Sequence, residues 1–214
     1  MASVYCLKTG MEVHYRKFEP ADTGTCVSLL RRSFKPPPDR LKFRLWAEEA
    51  TIYRPDNFIA TARQRDYHVA EVGKCVVGLV GIERFGLAAW QVEQLEWAAK
   101  AGVEVTVTQP PVAEVRDLTV AAEFQRKQLG RFLLIAAMLK KIDEGVQHFH
   151  AYPPPGALPL FEYAGFEQKG KPLESAWWGT ATPHYMHIGA GKPAMLANAL
   201  ERLGEKVAGA PAYS

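Results

Sequence analysis

The stretch from Val112 to Tyr152 constrains the fold more than any other part of the sequence. It reads as an apolar strand, a polar loop, a long helix and a second, short strand. Gly145 ends the helix, as glycine often does after a last helical turn. This alternation of strands and helices is typical of an α/β sheet. The predicted boundaries are Val112–Val120, Ala121–Gln128, Leu129–Glu144 and Gln147–Tyr152.

Elements before and after this unit extend the pattern. A hairpin is predicted from His68–Val72 and Cys75–Ile82, with Gly73 at the first position of a type II′ turn. An antiparallel start followed by alternating strands and helices indicates a mixed sheet with helices on both faces. The other predicted strands are Val13–Phe18, Val103–Val107 and His184–Ile188, and the other predicted helices are Pro20–Phe34, Asp39–Ile52, Leu87–Ala101, Leu158–Ala164 and Lys192–Val207.

Length and composition exclude several classes of protein. The chain has 214 residues, a usual size for one domain, with 48% apolar and 23% charged residues and three cysteines. These values exclude wholesale disorder, a collagen-like protein and a disulfide framework. The longest apolar runs fall far short of the ~20 residues of a membrane span, and MASVYCLKTG does not read as a signal peptide. We therefore expect a cytoplasmic protein.

The basic loop before the long helix is a candidate anion site. Backbone N–H groups of Gln125–Arg131 lie at a predicted helix N-terminus, where unpaired donors and the helix dipole attract negative charge. Arg126 and Lys127 add positive charge, and Gly130 allows close approach of a ligand. The net charge of +3 suits a small anion and is too weak to argue for nucleic acid. From the residues alone, a solvated surface loop remains the alternative.

The strand that precedes this loop has a break in its alternation. Val115 and Leu118 are both apolar but lie three residues apart, which puts them on opposite faces of a regular strand. A β-bulge between them would return both to one face and splay the strand away from its neighbour. A splayed strand leaves backbone groups free, to which an acyl-thioester arm can add like another strand.

Three motifs in order resemble those of the GNAT acetyltransferases. The segment Glu114–Val120 followed by Gln125-x-x-x-x-Gly130 resembles the acetyl-CoA-binding segment of that family. Ala157–Phe166 is similar to the family's short helix that ends in Gly-Phe, and Val69–Gly78 is similar to its β-hairpin. In element order the resemblance extends over about Val13–Ile188.

The resemblance implies a fold and an activity. It implies a mixed, mostly antiparallel central sheet that is splayed between two strands, with helices on both faces. We expect one domain over residues 1–214, with an inserted helix and strand at about 86–109 and a C-terminal helical tail at about 190–214. The implied activity is transfer of an acetyl group from acetyl-CoA, or of a longer acyl group from acyl-CoA, to a primary amine within a ternary complex.

The resemblance also assigns roles to residues. Glu114 takes the position of a general base, Asp117 is the alternative base, and an exposed strand carboxylate is the structural alternative for Glu114. The strand residues would bind the pantetheine arm and polarise the thioester carbonyl, and the loop would bind the pyrophosphate. The implied coenzyme-binding residues are Leu118, Thr119, Val120, Gln125, Arg126, Lys127, Gln128, Leu129, Gly130 and Arg131.

Two positions depart from the family pattern. Gln128 replaces the first glycine of the loop, and Phe161 replaces the tyrosine that protonates the leaving thiolate. Tyr163 would face another side of its helix. Tyr152, Tyr185 or water therefore remain as candidate proton donors.

Further features bear on ligands and partners. His148 and His150 share one face of a strand but have no third ligand at a suitable spacing, so no metal site is expected. The acceptor is expected to be a small-molecule or protein amine; neither nucleic acid nor membrane is an expected partner, and a homodimer is left open. Two alternatives are a long-chain acyltransferase that uses acyl-carrier protein and a catalytically silent CoA-binding module. The first draws on the segment Phe166–Ile188, where Trp177-Trp178 could line an acceptor or acyl pocket, on the missing tyrosine and on a basic run composed of Arg31, Arg32, Lys35, Arg40, Lys42 and Arg44, and the second draws on Phe161.

Overall fold

The computed structural model describes residues 2–33, 54–63, 65–85, 112–169, 186–188 and 192–207. The strands are β1 (Ser3–Leu7), β2 (Glu12–Lys17), β3 (Arg65–Val72), β4 (Cys75–Phe85), β5 (Val112–Val120), β6 (His148–Ala151), β7 (Glu167–Gln168), β8 (Met186–Ile188) and β9 (Gly204–Lys206). The helices are α1 (Thr23–Ser33), α2 (Pro55–Ala62), α3 (Leu129–Asp143), α4 (Leu158–Tyr163) and α5 (Pro193–Leu203).

The described strands form one mixed sheet in the order β7-β8-β6-β5-β4-β3-β2-β1-β9. Neighbouring strands run antiparallel at every described pairing except that of β5 with β6, which is parallel. The helix α3 connects this parallel pair, because parallel strands need a crossover. The mostly antiparallel α/β sheet predicted from the sequence is thereby confirmed.

Helices cover both faces of the sheet. Val69 and Ala70 are neighbours on β3 but belong to different hydrophobic cores, since successive side chains of a strand point to opposite faces. Val69 packs in the core with Leu30 of α1 and Phe58 of α2. Ala70 belongs to the larger core, which α3 and α5 complete. No described helix is both long and apolar enough to span a membrane.

Two local predictions were wrong. Gly73 and Lys74 have φ angles of 57° and 70°, and two positive values define a type I′ turn, where the sequence suggested type II′. The C-terminal helix was predicted to run to Val207, but it ends at Leu203 and the chain continues as β9, which pairs with β1. The prediction failed because only β1, a strand distant in sequence, offers β9 its hydrogen bonds.

Several predicted elements lie outside the described residues. These are the helix over Asp39–Ile52 and the inserted helix and strand at about 86–109. Tyr185 and Trp177-Trp178 also lie outside the described part of the chain.

Candidate functional site

A β-bulge interrupts β5 at the predicted place. Gly81 of β4 pairs with Arg116 and Leu79 pairs with Thr119, so two residues of β5, Asp117 and Leu118, oppose a single residue of β4. Asp117 takes the left-handed conformation with a φ of 54°. The extra residue places Leu118 on the same face of the sheet as Val115, and both side chains pack in the same core.

The bulge coincides with the point where β5 leaves β6. The parallel register begins at Val112↔His148 and ends at Val115↔Ala151, whereas β5 continues to Val120 along β4. In the described part of the chain, the far edge of β5 after Val115 therefore has no strand partner. This confirms the splay between two strands that the family resemblance implied.

The basic loop leads into an uncapped helix N-terminus. Gln128 precedes α3 with a φ of 67°, and its side chain makes no capping hydrogen bond. The Phe132 N–H donates to the Gln128 carbonyl at 3.0 Å. The N–H groups of the preceding helical residues consequently have no acceptor within the helix. Those groups are the donors that an anion at a helix N-terminus uses.

Side chains around this loop are held by neighbouring groups. The Gln125 amide Nε2 donates to the Val120 carbonyl at 3.0 Å, which ties the start of the loop to the end of β5. The Arg131 guanidinium lies 4.3 Å from the centre of the Tyr163 ring. Lys127 Nζ lies 5.4 Å from the centre of the Phe124 ring. These cation–π contacts orient two positive charges beside the helix N-terminus.

The short helix α4 has a structural role beside this loop. A Cβ on Gly130 would lie 2.9 Å from Leu160 Cδ1, so glycine allows α3 and α4 to pack closely. The Phe166 N–H donates to the Phe161 carbonyl and the Gly165 N–H to the Glu162 carbonyl, so α4 ends in a Schellman motif at Gly165-Phe166. Phe161 is buried, with its ring centre 5.2 Å from that of Phe166. Phe161 is thus a core residue.

Glu114 is the most deeply buried carboxylate among the described residues. It is buried with 4% exposure, which differs from the exposed strand carboxylate that the sequence left as an alternative. Its Oε2 atom accepts a hydrogen bond from Arg116 at 2.8 Å and lies 3.2 Å from His150 Nε2. Burial raises the pKa of Glu114 to about 7, with Glu83 adding to the rise and Arg116 and Arg65 opposing it.

Charged side chains link Glu114 to the bulge. Glu83 Oε2 is 2.9 Å from Arg116 Nε and 2.9 Å from Arg65 Nε. Arg65 also donates to Asp117 Oδ2 at 2.9 Å, and the Tyr67 hydroxyl donates to the same oxygen at 2.5 Å. The carboxylate of the bulge residue is therefore fixed by β3. We named Asp117 as the alternative base, and the structure places it in an ion pair.

Sequence reasoning did not assign five of these residues to the site, namely Arg65, Tyr67, Glu83, Arg116 and His150. Their strands bring them together through register, since Arg65 is opposite Glu83, Glu83 is opposite Glu114, and Glu114 is opposite His150. Tyr67 lies two residues after Arg65 on the same face of β3. Nothing in the spacing of these residues along the chain signals their proximity.

The described residues contain no group of three or more His, Cys, Asp or Glu side chains that could hold a metal ion. His148 and His150 lie on β6 as predicted. The His150 Nε2 atom is in contact with Glu114 Oε2 at 3.2 Å.

The family resemblance is supported by an independent comparison. A family model described as the Acetyltransferase (GNAT) family matches residues 27–166, well over half of the chain. The chain belongs to the GNAT acetyltransferase family. The matched region includes β5, the loop, α3 and α4. No curated protein sequence matches the chain.

Solved structures of GNAT proteins share the fold. A PaiA N-acetyltransferase from Thermoplasma acidophilum in complex with coenzyme A has a TM-score of 0.57 at 13% identity, covering 84% of this chain and 99% of that chain. A variant of the SpeG spermidine N-acetyltransferase from Vibrio cholerae has a TM-score of 0.57 at 17% identity, covering 85% and 96%. The NatC complex bound to Gag peptide and CoA has a TM-score of 0.54 at 11% identity, covering 84% and 99%. At these identities the likeness concerns the fold.

Proposed function

We propose that this GNAT protein is an N-acetyltransferase that moves an acetyl group from acetyl-CoA to a primary amine. One observation carries the proposal. The buried Glu114 lies on the strand whose bulge opens an edge, and that strand leads through the basic loop into an uncapped helix N-terminus. A proton acceptor, an edge for a thioester arm and an anion site are thus adjacent parts of one strand–loop–helix unit.

Glu114 would act as the general base. A primary amine is an ammonium ion at neutral pH, so it first releases one proton to solvent and then attacks as the neutral amine. The nitrogen forms a bond to the thioester carbonyl carbon, the carbon–sulfur bond breaks, and the second proton from nitrogen passes to Glu114. A carboxylate with a pKa of about 7 is suited to this step, because a general base works best when its pKa lies near the working pH.

The strand edge and the loop would hold the coenzyme. The pyrophosphate would bind the N–H groups at the start of α3, with Arg126 and Lys127 adding positive charge at an exposed rim. The pantetheine arm would lie along the open edge of β5, between Leu118 and Val120, as an added strand does. Backbone N–H groups there would also polarise the thioester carbonyl.

The leaving group needs no tyrosine at position 161. Thiols are far more acidic than alcohols, with a pKa of about 8.5 for free cysteine, so a thiolate can depart without prior protonation and take its proton from water. Phe161 is therefore compatible with transfer, and we propose water as the donor. Tyr152 is the described alternative, half-buried with its ring centre 5.6 Å from that of His150.

The proposed acceptor is a primary amine. Names of proteins with the same fold refer to spermidine and to a peptide, so a small polyamine and a protein amine are both reasonable probes. The single-domain organisation over residues 1–214, the cytoplasmic location and a homodimer remain predictions.

Ligand-induced thermal stabilisation and turnover together test the proposal. Acetyl-CoA, a long-chain acyl-CoA and acyl-carrier protein are each added, and thiol release is followed with spermidine, amino acids and peptides as acceptors. We expect stabilisation and thiol release with acetyl-CoA. No stabilisation by any CoA species would contradict the proposal, stabilisation without turnover would favour a silent CoA-binding module, and turnover with carrier protein alone would favour the long-chain enzyme.

A loop variant tests the coenzyme site separately. Arg126→Ala combined with Lys127→Ala is expected to raise the KM for acetyl-CoA about tenfold or more, because charge-assisted contacts to phosphate are lost. The same change in net charge made by Lys8→Ala with Lys206→Ala, both exposed, provides the control. Equal effects of the two double variants would argue against a phosphate site in the loop.

A further inference from the structure

His150 and Glu114 form a buried pair across two strands. They are opposite each other in the parallel register of β5 and β6. His150 is fully buried, and its Nε2 atom lies 3.2 Å from Glu114 Oε2. Both residues are thus held by backbone pairing as well as by their own contact.

Both described partners of the Glu114 carboxylate use the same oxygen. Arg116 donates to Oε2 from the next position on the same face of β5, and His150 reaches Oε2 from β6. An ionised carboxylate only accepts hydrogen bonds, so whenever Glu114 is ionised the imidazole Nε2 carries the hydrogen and donates it. Among the described residues, Glu83 on β4 and Arg65 on β3 are the other charged groups that act on this carboxylate. None of the described residues hydrogen-bonds Oε1.

We propose that His150 is a positioning residue for Glu114. It fixes the carboxylate through Oε2 and leaves Oε1 to take the proton of the acceptor amine. The inference rests on the proposed role of Glu114 as the general base. In this arrangement the proton moves from the amine nitrogen to Oε1, and His150 keeps its own proton throughout.

The pair has a measurable consequence. A hydrogen bond donated to an ionised carboxylate favours the ionised form, so loss of that bond raises the pKa of the carboxyl group. Removal of the His150 donor should therefore move the titration of Glu114 to higher pH. A residue that merely fills the core would change stability without moving that titration.

Direct titration of Glu114 tests this without relying on activity. The full-length protein is labelled with ¹³C at the glutamate carboxyl groups, and the Glu114 signal is assigned by its disappearance in Glu114→Gln. We expect His150→Phe to raise the titration midpoint by about one pH unit, and His150→Gln, which can place an amide donor near Nε2, to restore most of it. In activity, His150→Phe should lower kcat about tenfold near pH 6.5 and little near pH 9, with the KM for acetyl-CoA unchanged.

His148 supplies the matched control, because it lies on the same strand opposite Val112 and not opposite Glu114. His148→Phe should leave the midpoint where it is. An unchanged midpoint in His150→Phe, or an equal rise in His148→Phe, overturns the positioning role. If His150→Phe does not fold, His150→Asn replaces it, since the shorter amide does not reach Oε2. A midpoint shift in a protein that transfers no acyl group would support the pair and contradict the proposed function.

Discussion

Two carboxylates on opposite faces of the sheet show how burial and neighbouring cations decide the behaviour of an acid. Asp66, on the face covered by α3, is half-buried, and burial by itself would raise its pKa. Contacts with His68, Lys141 and Lys17 outweigh that effect and lower the pKa of Asp66 well below its ordinary value. Lys141 is itself buried and also binds Glu144 at 2.7 Å.

Glu114, on the face covered by α1 and α2, shows the opposite balance. It is more deeply buried, and its nearest cation, Arg116, is shared with Glu83. Burial therefore prevails and the pKa of Glu114 rises to about 7. The comparison shows that several hydrogen-bonding partners hold down the pKa of a half-buried carboxyl group, whereas deeper burial beside one hydrogen-bonding guanidinium raises the pKa of Glu114 to about 7.

The largest expected difference between the two acids is in catalysis. Glu114→Gln should lower kcat by about 10²- to 10⁴-fold, the usual contribution of a general base, with little change in the affinity for acetyl-CoA. Asp66→Asn should leave kcat near the wild-type value, because Asp66 lies on the other face of the sheet. Steady-state kinetics at saturating acetyl-CoA distinguish the two variants. A wild-type kcat in Glu114→Gln would remove Glu114 from the mechanism.

The pH dependence of stability should also differ. The pKa of Glu114 is about 7 in the folded protein against an ordinary value of 4.5, so the unfolded chain ionises first as pH rises. Stability is therefore lost between those two values, by up to about 3 kcal/mol from this group. Relative to wild type, the unfolding free energy of Glu114→Gln should rise by that amount between pH 4.5 and pH 7.5. Urea denaturation across this range measures it, and a constant difference would contradict the raised pKa.

For Asp66 the sign is reversed. Its pKa is lowered by folding, so its stabilising contribution is present above the ordinary value of 3.8 and is lost as pH falls further. At pH 7, Asp66→Asn should cost about 2 kcal/mol, because the buried Lys141 loses one of its two anionic partners. The same urea series measures this cost. A neutral effect at pH 7 would mean that Glu144 alone suffices for Lys141.

The smallest expected effect is that of removing Arg116, the cation that Glu114 shares with Glu83. Arg116→Gln removes the guanidinium that donates to Glu114, so the pKa of Glu114 should rise further. The acid limb of the kcat/KM profile should then move up by about one pH unit, which makes the variant about tenfold slower near pH 6.5. Arg84→Gln is the control, because Arg84 pairs with Glu144 on an exposed surface. Equal profiles for the two variants would contradict the assignment.

Local patterns in the sequence predicted the loop and its flanking elements well. The bulge between Val115 and Leu118, the helix that begins at Leu129 and the Gly165-Phe166 ending were all confirmed, because each depends on residues close in the chain. The turn type at Gly73-Lys74 was wrong, since a single glycine does not decide the φ of the residue after it.

The residues that surround Glu114 could not be predicted from local sequence patterns. The sequence placed Glu114 and Asp117 as candidate bases but offered no sign that Arg65, Glu83 and His150 surround them. Neighbours across a sheet are set by strand order and register, which depend on pairing between distant segments. For the same reason β9 was missed, because its hydrogen bonds come from β1.

Residue order along the chain was therefore enough to define the α/β class and the strand–loop–helix unit, and the family resemblance implied the position of the candidate base. Periodicity, glycine placement and local charge depend on residues that lie close together in the chain, so they can be identified from the sequence directly. Tertiary structure alone decided that Glu114 is buried, that Arg116 is shared with Glu83 and that His150 reaches the same carboxylate. Desolvation and charge pairing depend on everything packed around a group, and that environment exists only once the strands have assembled.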